Sequence, residues 1–294
     1  MLFQSYIEGL KVVIDTDARI HSNFTQTVTT TGRLSSTEPN LQNIPIRHEM
    51  GRAIRKAFIP HNDKCVILSA DYSQIELRVL AHIAGDENLI QAFIDHSDIH
   101  TKTASEVFNV PMDEVTKVMR SNAKAVNFGI VYGIGEFSLA KDLNISRKEA
   151  KTYIETYFER YPSVKKYMKD IVTTAEENNS VTTILNRRRF IPEINSANKM
   201  VKAAGIRLAM NTPIQGSAAD IIKLAMVNVF DKLKEEGLKS TLILQVHDEL
   251  ILNVYRDELK QVELLVKDQM ENVIKLLVPL EVEISIGETW YEAK

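Results

Sequence analysis

Along this chain the apolar positions alternate between two periods, and each change of period marks an element. Residues 66–70 form a short apolar run that closes at Asp71, the pattern of a buried strand with a carboxylate at its tip. From residue 73 to 84 the period becomes helical, with Ile75, Leu77, Val79, Leu80 and Ile83 apolar. Residues 88–175 read as successive helices. Asp98 caps one and Pro111 precedes another. Ser146 with Glu149 three residues on is a capping box, and Pro162 breaks or starts a helix. VTTILNRRRFIP predicts a hairpin over 181–192, and helices follow over 200–210 and 215–236, separated at Pro213. TLILQVHDELILNVY is two apolar runs around a polar tip at His247, Asp248 and Glu249, a second hairpin. An amphipathic helix over 256–276 and an alternating strand in VPLEVEISIG complete the chain. Near the start, the Thr-rich stretch 22–32 suits a strand ending at a Gly turn. The following RLSSTEPNLQNIPIR has neither period and reads as an ordered loop. Strands at both sequence ends with helices between them predict an α+β fold: a mainly antiparallel sheet carrying a helical insertion.

Composition narrows the class. With 294 residues, 44% hydrophobic and 26% charged, the chain is long enough for a sizeable core and two lobes. A net charge of −3 does not favour a nucleic-acid binder on bulk charge, so such a role must rest on local basic clusters. The single cysteine, Cys65, permits no internal disulfide and opens an apolar run, which reads as a buried thiol. No stretch of 18 apolar residues occurs, and MLFQSYIEGLKVV lacks the basic start and sustained apolar segment of a signal peptide. The expectation is a cytoplasmic protein without membrane attachment.

The chemistry concentrates in one helical stripe and two acidic tips. Arg120, Lys124, Phe128 and Tyr132 are stepped four apart, so on a helix they form one slanting line of two cations followed by two aromatics. Such a line suits a polyphosphate at one end and a stacked flat ring at the other, and His100 would join it from a neighbouring helix. A basic helix end with two core aromatics is the plainer alternative. Against it, Gly129, Gly133 and Gly135 in NFGIVYGIG each cost a helix about 1 kcal/mol, which points to close approach by a backbone or a base. Asp71 and Asp248 each close an apolar strand, and Mg²⁺ is held by one or two such carboxylates plus substrate phosphates. The Tyr72 carbonyl would add a ligand, and Glu249 would help from nearby. An Asp after a strand also serves simply to cap the next helix. Only the joint occurrence of both acids with the stripe points to phosphoryl transfer with a nucleotide.

Other positions are weaker signals. Glu76, on the first turns of its helix, would block a sugar 2′-hydroxyl by bulk, although an exposed helix acid is the plainer reading. Arg33, Asn40 and Gln42 in TGRLSSTEPNLQNIP can reach minor-groove acceptors common to every base pair. Arg187, Arg188 and Arg189 suit backbone phosphates or a solvated face. Arg207, Asn211 and Gln215 repeat the four-residue step as a second polar stripe, close to the expected metals.

DYSQIELRVLAHIAGD, RSNAKAVNFGIVYG and QVHDELI closely resemble motifs A, B and C of family A DNA polymerases of the bacterial DNA polymerase I type. TGRLSSTEPNLQNIPIR and MNTPIQGSAADIIK resemble further signatures of that family, and the resemblance runs from about Tyr6 to the end. It implies a palm from residues 1–86 and 205–294 with a mainly helical fingers insertion over 87–204. It implies that Asp71 and Asp248, with Glu249 nearby, hold two Mg²⁺ ions for which Mn²⁺ can substitute. Arg120, Lys124 and His100 would bind the triphosphate of a dNTP. Phe128 would stack on the nucleotide and disfavour dideoxynucleotides, Tyr132 would sit by the templating position, Glu76 would gate against ribonucleotides and Gln74 would line the same pocket. Arg33, Arg207, Asn211 and Gln215 would contact primer–template DNA, and His247 would sit beside the primer end.

Ser121 and Gly135 depart from the pattern, where many relatives carry Arg and Ser, which touches details of template and phosphate contact. The resemblance begins near the start of the palm, so the expectation is a monomeric palm-and-fingers fragment with the thumb largely absent. Its expected activity is template-directed dNTP addition, with Lys124 as proton donor to pyrophosphate. The alternative is a fragment that only binds nucleic acid or nucleotides. A His-Asp phosphohydrolase is disfavoured because His247 and Asp248 lie between strands and lack the further ligands such sites need.

Overall fold

The computed structural model describes residues 3–46 and 49–294. Arg47, at the end of the TGRLSSTEPNLQNIPIR motif, and the first two residues of the amino-terminal stretch lie outside them. The chain divides into two compact units, the first comprising residues 1–73, 219–274 and 280–294, and the second residues 74–218 and 275–279. The unit changes fall at 73/74, 218/219, 274/275 and 279/280.

The first unit is built on a four-stranded antiparallel sheet in the order β6-β7-β3-β8. Its strands are β3 (Cys65–Tyr72), β6 (Thr241–Val246), β7 (Glu249–Tyr255) and β8 (Val282–Gly287). Central β3 is buried almost throughout because both faces are covered. Alternation sends Ile67, Ser69 and Asp71 to one face and Leu68, Ala70 and Tyr72 to the other. On the first face Ile67 and Ile251 join a core with Leu41, Ile44, Ile54 and Trp290. On the second lies α11 (Leu259–Glu271), where the Tyr72 hydroxyl donates to the Met270 carbonyl at 2.7 Å. Cys65 is fully buried, as its apolar run implies.

The Thr-rich stretch yields only the three-residue β1 (Asn23–Thr25). Its partner, β2 (Ser35–Thr37), comes from the segment read as a loop. The hydroxyls of Ser22 and Ser36, 2.7 Å apart, tie the two stretches together, a polar pairing that hydrophobic period cannot reveal. Two short helices, α1 (Gly9–Lys11) and α2 (Glu49–Arg52), complete this part.

The second unit carries α3 (Ile75–Ala84), α4 (Glu87–Ile94), α5 (Ile99–Phe108), α6 (Lys117–Val131), α7 (Glu136–Leu143), α8 (Arg147–Arg160) and α9 (Pro162–Asn178). Their boundaries follow local chemistry. The Asp98 side chain accepts from the backbone of His100 and Thr101, Ser146 and Glu149 form the reciprocal capping box, and Pro162 occupies the first turn of α9. Asp86 caps α4 through Leu89 N–H at 3.1 Å and takes Ser163 N–H at 3.0 Å with its other oxygen, so one carboxylate locks two helix starts. The expected hairpin is β4 (Ser180–Thr182) with β5 (Arg188–Phe190), packed through Val181, Ile191 and Ile194 against Ala175 and Ala209.

The break expected at Pro213 does not occur, because α10 runs unbroken over Lys199–Glu235. Proline in a helix interior costs roughly 3 kcal/mol. Here Pro213 and Ser217 are both buried, and the Ser217 hydroxyl back-bonds to the Pro213 carbonyl at 2.5 Å without replacing the missing Pro213 N–H. The glycine reading also changes. Only Gly129 lies inside α6, and a Cβ there would meet Ile134 Cγ2 at 2.6 Å, so the close neighbour is a side chain rather than a backbone or base. Gly133 takes the left-handed turn after the helix (φ +65°) and Gly135 caps α7.

Gly205 is the tightest backbone contact in the second unit, since a Cβ there would lie 2.6 Å from Ile194 N and 2.8 Å from Glu193 C. Neither backbone atom can yield as a side-chain tip would. Gly205→Ala is expected to destabilise the protein by about 1–3 kcal/mol, read as a lower urea midpoint; an unchanged midpoint would show that the helix shifts freely.

Candidate active site

The acidic tips of the first unit meet through strand register. Asp71 pairs directly with Glu249 across β3 and β7. The Tyr72 N–H donates to the Asp248 carbonyl at 3.1 Å, so the two aspartates flank one rung of the sheet. The turn between β6 and β7 is only His247 and Asp248, and His247 takes a left-handed conformation (φ +58°) to close it.

The two acids opposite each other differ. Glu249 is 1% exposed, and both its oxygens are engaged. Oε1 accepts from the Ser69 hydroxyl at 2.6 Å and from Trp290 Nε1 at 3.4 Å, while Oε2 accepts from Lys294 Nζ at 2.7 Å. Asp71 keeps 35% of its side chain open to solvent, and its Oδ2 accepts from the same Lys294 ammonium at 3.1 Å. Burial raises the Asp71 pKa, Lys294 draws it back and Glu249 adds to the rise. A second cation, Arg55, is buried 4.0 Å over the Trp290 ring, where Glu249 and Asp71 counter the desolvation of its charge. Glu249 therefore positions its neighbours, and Asp71 is the acid with an open side.

This donor set fits a hard divalent cation. Two carboxylate-bearing positions adjoin at strand tips, and the Lys294 ammonium already stands where positive charge is required. Among the described residues no group of three or more His, Cys, Asp or Glu side chains is arranged to hold a metal. Hard oxygen donors of this kind suit a divalent ion that one or two carboxylates hold together with water and substrate phosphate.

The loop residues assigned to DNA have local duties. Asn40 Oδ1 accepts from Gln42 N–H at 3.0 Å as a cap, and Gln42 Nε2 donates to the Gln245 carbonyl and Oε1, each at 3.1 Å. Asn40 thus caps its own loop, and Gln42 braces that loop against β6. Arg33 is half-buried, and its charge helps depress the His247 pKa. Desolvation is the larger cause of that shift, although His247 keeps an exposed face, and Lys294 adds to it.

In the second unit, α5 carries His100, and α6 carries Arg120, Lys124 and Phe128. The stripe remains helical through Phe128, but Tyr132 is the residue that caps α6. His100 is not a cation. It is 3% exposed, and burial first, then the charges of Lys124 and Arg120, hold its pKa at about 4. A buried chain sets its tautomer. Thr103 Oγ1 donates to Asn127 Oδ1 at 3.1 Å, so Asn127 Nδ2 donates to His100 Nδ1 at 3.0 Å and the ring proton sits on Nε2. The His100 and Phe128 rings lie 5.9 Å apart, and Lys124 Nζ is 5.8 Å from the Phe128 ring centre. Arg120 Nε donates to Asp98 Oδ2 at 2.6 Å. Burial alone would raise the Asp98 pKa, but the bonds from Arg120 and Thr101 bring it to about 2.

Glu76 is likewise not an exposed helix acid. It is 7% exposed and accepts from the Tyr132 hydroxyl at 3.0 Å, which locks it on α3. Gln74, left-handed at φ +54°, starts α3 and carries a buried Oε1 without a donor. On α10, Arg207 is exposed, Asn211 and Gln215 are half-buried on the same stripe, and Asn211 Oδ1 is another buried acceptor without a donor. Arg189 donates to Thr212 Oγ1 at 2.9 Å and serves the hairpin, while Arg187 and Arg188 are exposed. Sequence reasoning missed Asn127, Ser69, Trp290 and Lys294. Only Asn127 carried a signal, a lone amide inside the apolar run VNFGIV.

Comparison with known proteins identifies the family. The sequence model of DNA polymerase family A matches residues 1–292, and the chain belongs to that family. It is similar to DNA polymerase I from Bacillus caldotenax, 58% identical over 294 residues, covering all of this chain and 34% of that protein. DNA polymerase I from Bacillus subtilis is 55% identical, with all of this chain and 33% of that protein covered. The chain thus spans about a third of the length of these relatives. A solved structure, the POL domain of Pol1 from M. smegmatis in complex with DNA primer-template and dNTP, superposes with a TM-score of 0.94 at 48% identity, covering 98% of this chain and 51% of that one. The α+β class with an antiparallel sheet holds in full. No helix among the described residues is long and apolar enough to cross a membrane.

His100 provides a pH test. An unfolded histidine takes up its proton near pH 6.5, whereas the folded ring stays neutral until about pH 4. Between those values the unfolded state binds more protons, so stability falls as pH falls. His100→Gln is expected to remove on the order of 2–3 kcal/mol of that acid loss, measured as urea unfolding between pH 7 and pH 4. Parallel curves for both proteins would contradict the neutral buried ring.

Proposed function

We propose that the chain is a palm-and-fingers portion of a DNA polymerase that adds dNTPs to a primer 3′ end on a DNA template. The observation that carries this reading is the β3–β7 register, which sets Asp71 opposite Glu249 and beside Asp248 in a member of this family. Residues 1–86 and 205–294 form the palm and residues 87–204 the fingers.

Asp71 and Asp248, with the Tyr72 carbonyl, would hold the Mg²⁺ ions, or Mn²⁺ in their place. When bound, such a pair activates an attacking oxygen and stabilises the leaving one. Arg120, Lys124 and His100 bind the triphosphate. His100 does so as a neutral Nε2–H donor whose proton is fixed by Asn127, and Arg120 is pre-set by Asp98. Phe128 stacks on the nucleotide, and Glu76, held by Tyr132, gates the sugar 2′ position beside Gln74. Arg33, Arg207, Asn211 and Gln215 contact primer–template, and His247 lies beside the primer end. Asn40 and Gln42 shape the loop that presents Arg33. The primer 3′-oxygen attacks the α-phosphate in line, and Lys124 delivers a proton to the departing pyrophosphate. Catalysis is positioning plus charge neutralisation.

Two experiments test the reading. Primer extension with Mg²⁺ and dNTPs is expected to give product with the intact chain and none above background with Asp248→Ala. DNA binding without extension by the intact chain would instead establish a binding fragment. Lys124→Leu is expected to slow single-turnover incorporation about 100-fold or more, well beyond its effect on dNTP affinity. Equal effects on rate and affinity would remove the proton-donor role.

A further inference from the structure

Lys294, beside Asp71 and Glu249, is a charge that the chemistry above does not use. Lys294 Nζ lies 2.7 Å from Glu249 Oε2 and 3.1 Å from Asp71 Oδ2, one ammonium shared by two acids on adjacent strands. The two contacts are unequal. The Glu249 contact is shorter and its acid is 1% exposed, anchored further by Ser69 and Trp290. The Asp71 contact is longer and its acid is 35% exposed. The backbone of this segment is fixed too, since Arg52 Nη2 donates to the Lys294 carbonyl at 2.7 Å and Trp290 N–H donates to the Phe58 carbonyl at 2.9 Å. Lys294 is thus held from behind, with its ammonium directed at the acid pair.

We propose that Lys294 is the displaceable counter-cation of this carboxylate pair: it holds Asp71 when no metal is bound, withdraws onto Glu249 when a divalent ion takes Asp71, and so sets the metal affinity of the site. The inference rests on the reading of Asp71 as a metal-holding acid. It follows from electrostatics. Two buried or half-buried carboxylates side by side repel, and a shared cation offsets that repulsion. A divalent ion and an ammonium that share one carboxylate repel strongly at ion-pair distances, even in a partly screened site. The shorter, buried bond to Glu249 decides which acid the ammonium keeps. Lys294 is a positioning residue on this account, acting through Asp71.

A structural prop and a competing cation predict opposite signs. Loss of a prop loosens the site and weakens metal binding, whereas loss of a competitor strengthens it. Mn²⁺ binding to the chain, read from the free-ion electron paramagnetic resonance signal without DNA or dNTP, separates the two. Lys294→Met is expected to bind Mn²⁺ about tenfold more tightly, with a lower melting temperature in the absence of metal. Lys294→Arg, which keeps the charge, is expected to stay within about twofold of the parent. Asp71→Asn is expected to weaken binding and to cancel the gain in the double variant. An unchanged or weaker Mn²⁺ affinity in Lys294→Met, with Asp71→Asn still weakening it, would overturn the counter-cation and leave the metal reading standing. No loss of Mn²⁺ affinity in Asp71→Asn would overturn both. If circular dichroism shows Lys294→Met unfolded, Lys294→Gln is read by the same criteria.

Discussion

The pairing of β3 with β7 is the constraint on which the rest of the first unit depends. Its register, from Cys65 opposite Tyr255 to Asp71 opposite Glu249, is held by apolar side chains on both faces of the sheet. A slip of one residue would send every side chain to the opposite face, moving Leu68 toward Trp290 and turning Ser69 and Asp71 toward α11. The burial energy that locks the sheet is therefore the same energy that fixes the acid pair. The site needs no separate scaffold, and Glu249, with both oxygens engaged, carries the cost of its burial through Ser69, Trp290 and Lys294.

The second unit solves a different electrostatic problem. It gathers Arg120, Lys124 and His100 on α5 and α6, and three like charges in one place would repel. Burial and its cationic neighbours keep His100 uncharged, so the cluster gains a hydrogen-bond donor without a third charge. Asp98 balances Arg120 and caps α5 with the same side chain. The chain Thr103–Asn127–His100 shows how buried polar groups fix a proton on one nitrogen. Tyr132 and Glu76 pair similarly between α6 and α3, where a single hydrogen bond from the Tyr132 hydroxyl holds the buried carboxylate.

Much of the fold was legible because the signals are local. The caps at Asp98 and Ser146, the start at Pro162 and the hairpin around His247 depend on neighbours a few residues away. The misreadings share the opposite property. Pro213 looks like a break, but it lies buried between Thr212 and Ile214 and α10 runs through it. Gly129 looked like a ligand contact, but Ile134 fills the space above it. Glu76 looked exposed because its partner, Tyr132, is 56 residues away. The β1–β2 pairing escaped notice because hydroxyls rather than apolar period connect its two stretches.

The sequence by itself determined the α+β class, the family motifs and the types of side chain at each candidate position, since these are written in spacing and composition. Only the tertiary structure decided what those side chains do electrically. It made Glu249 an anchor and left Asp71 open, kept His100 neutral, occupied Asn40 and Gln42 with the loop, and delivered Lys294 to an acid 223 residues away. The physical reason is that periodicity and capping act over a few residues of chain. Charge state and hydrogen-bond partnership are set instead by which atoms share a few ångströms of space.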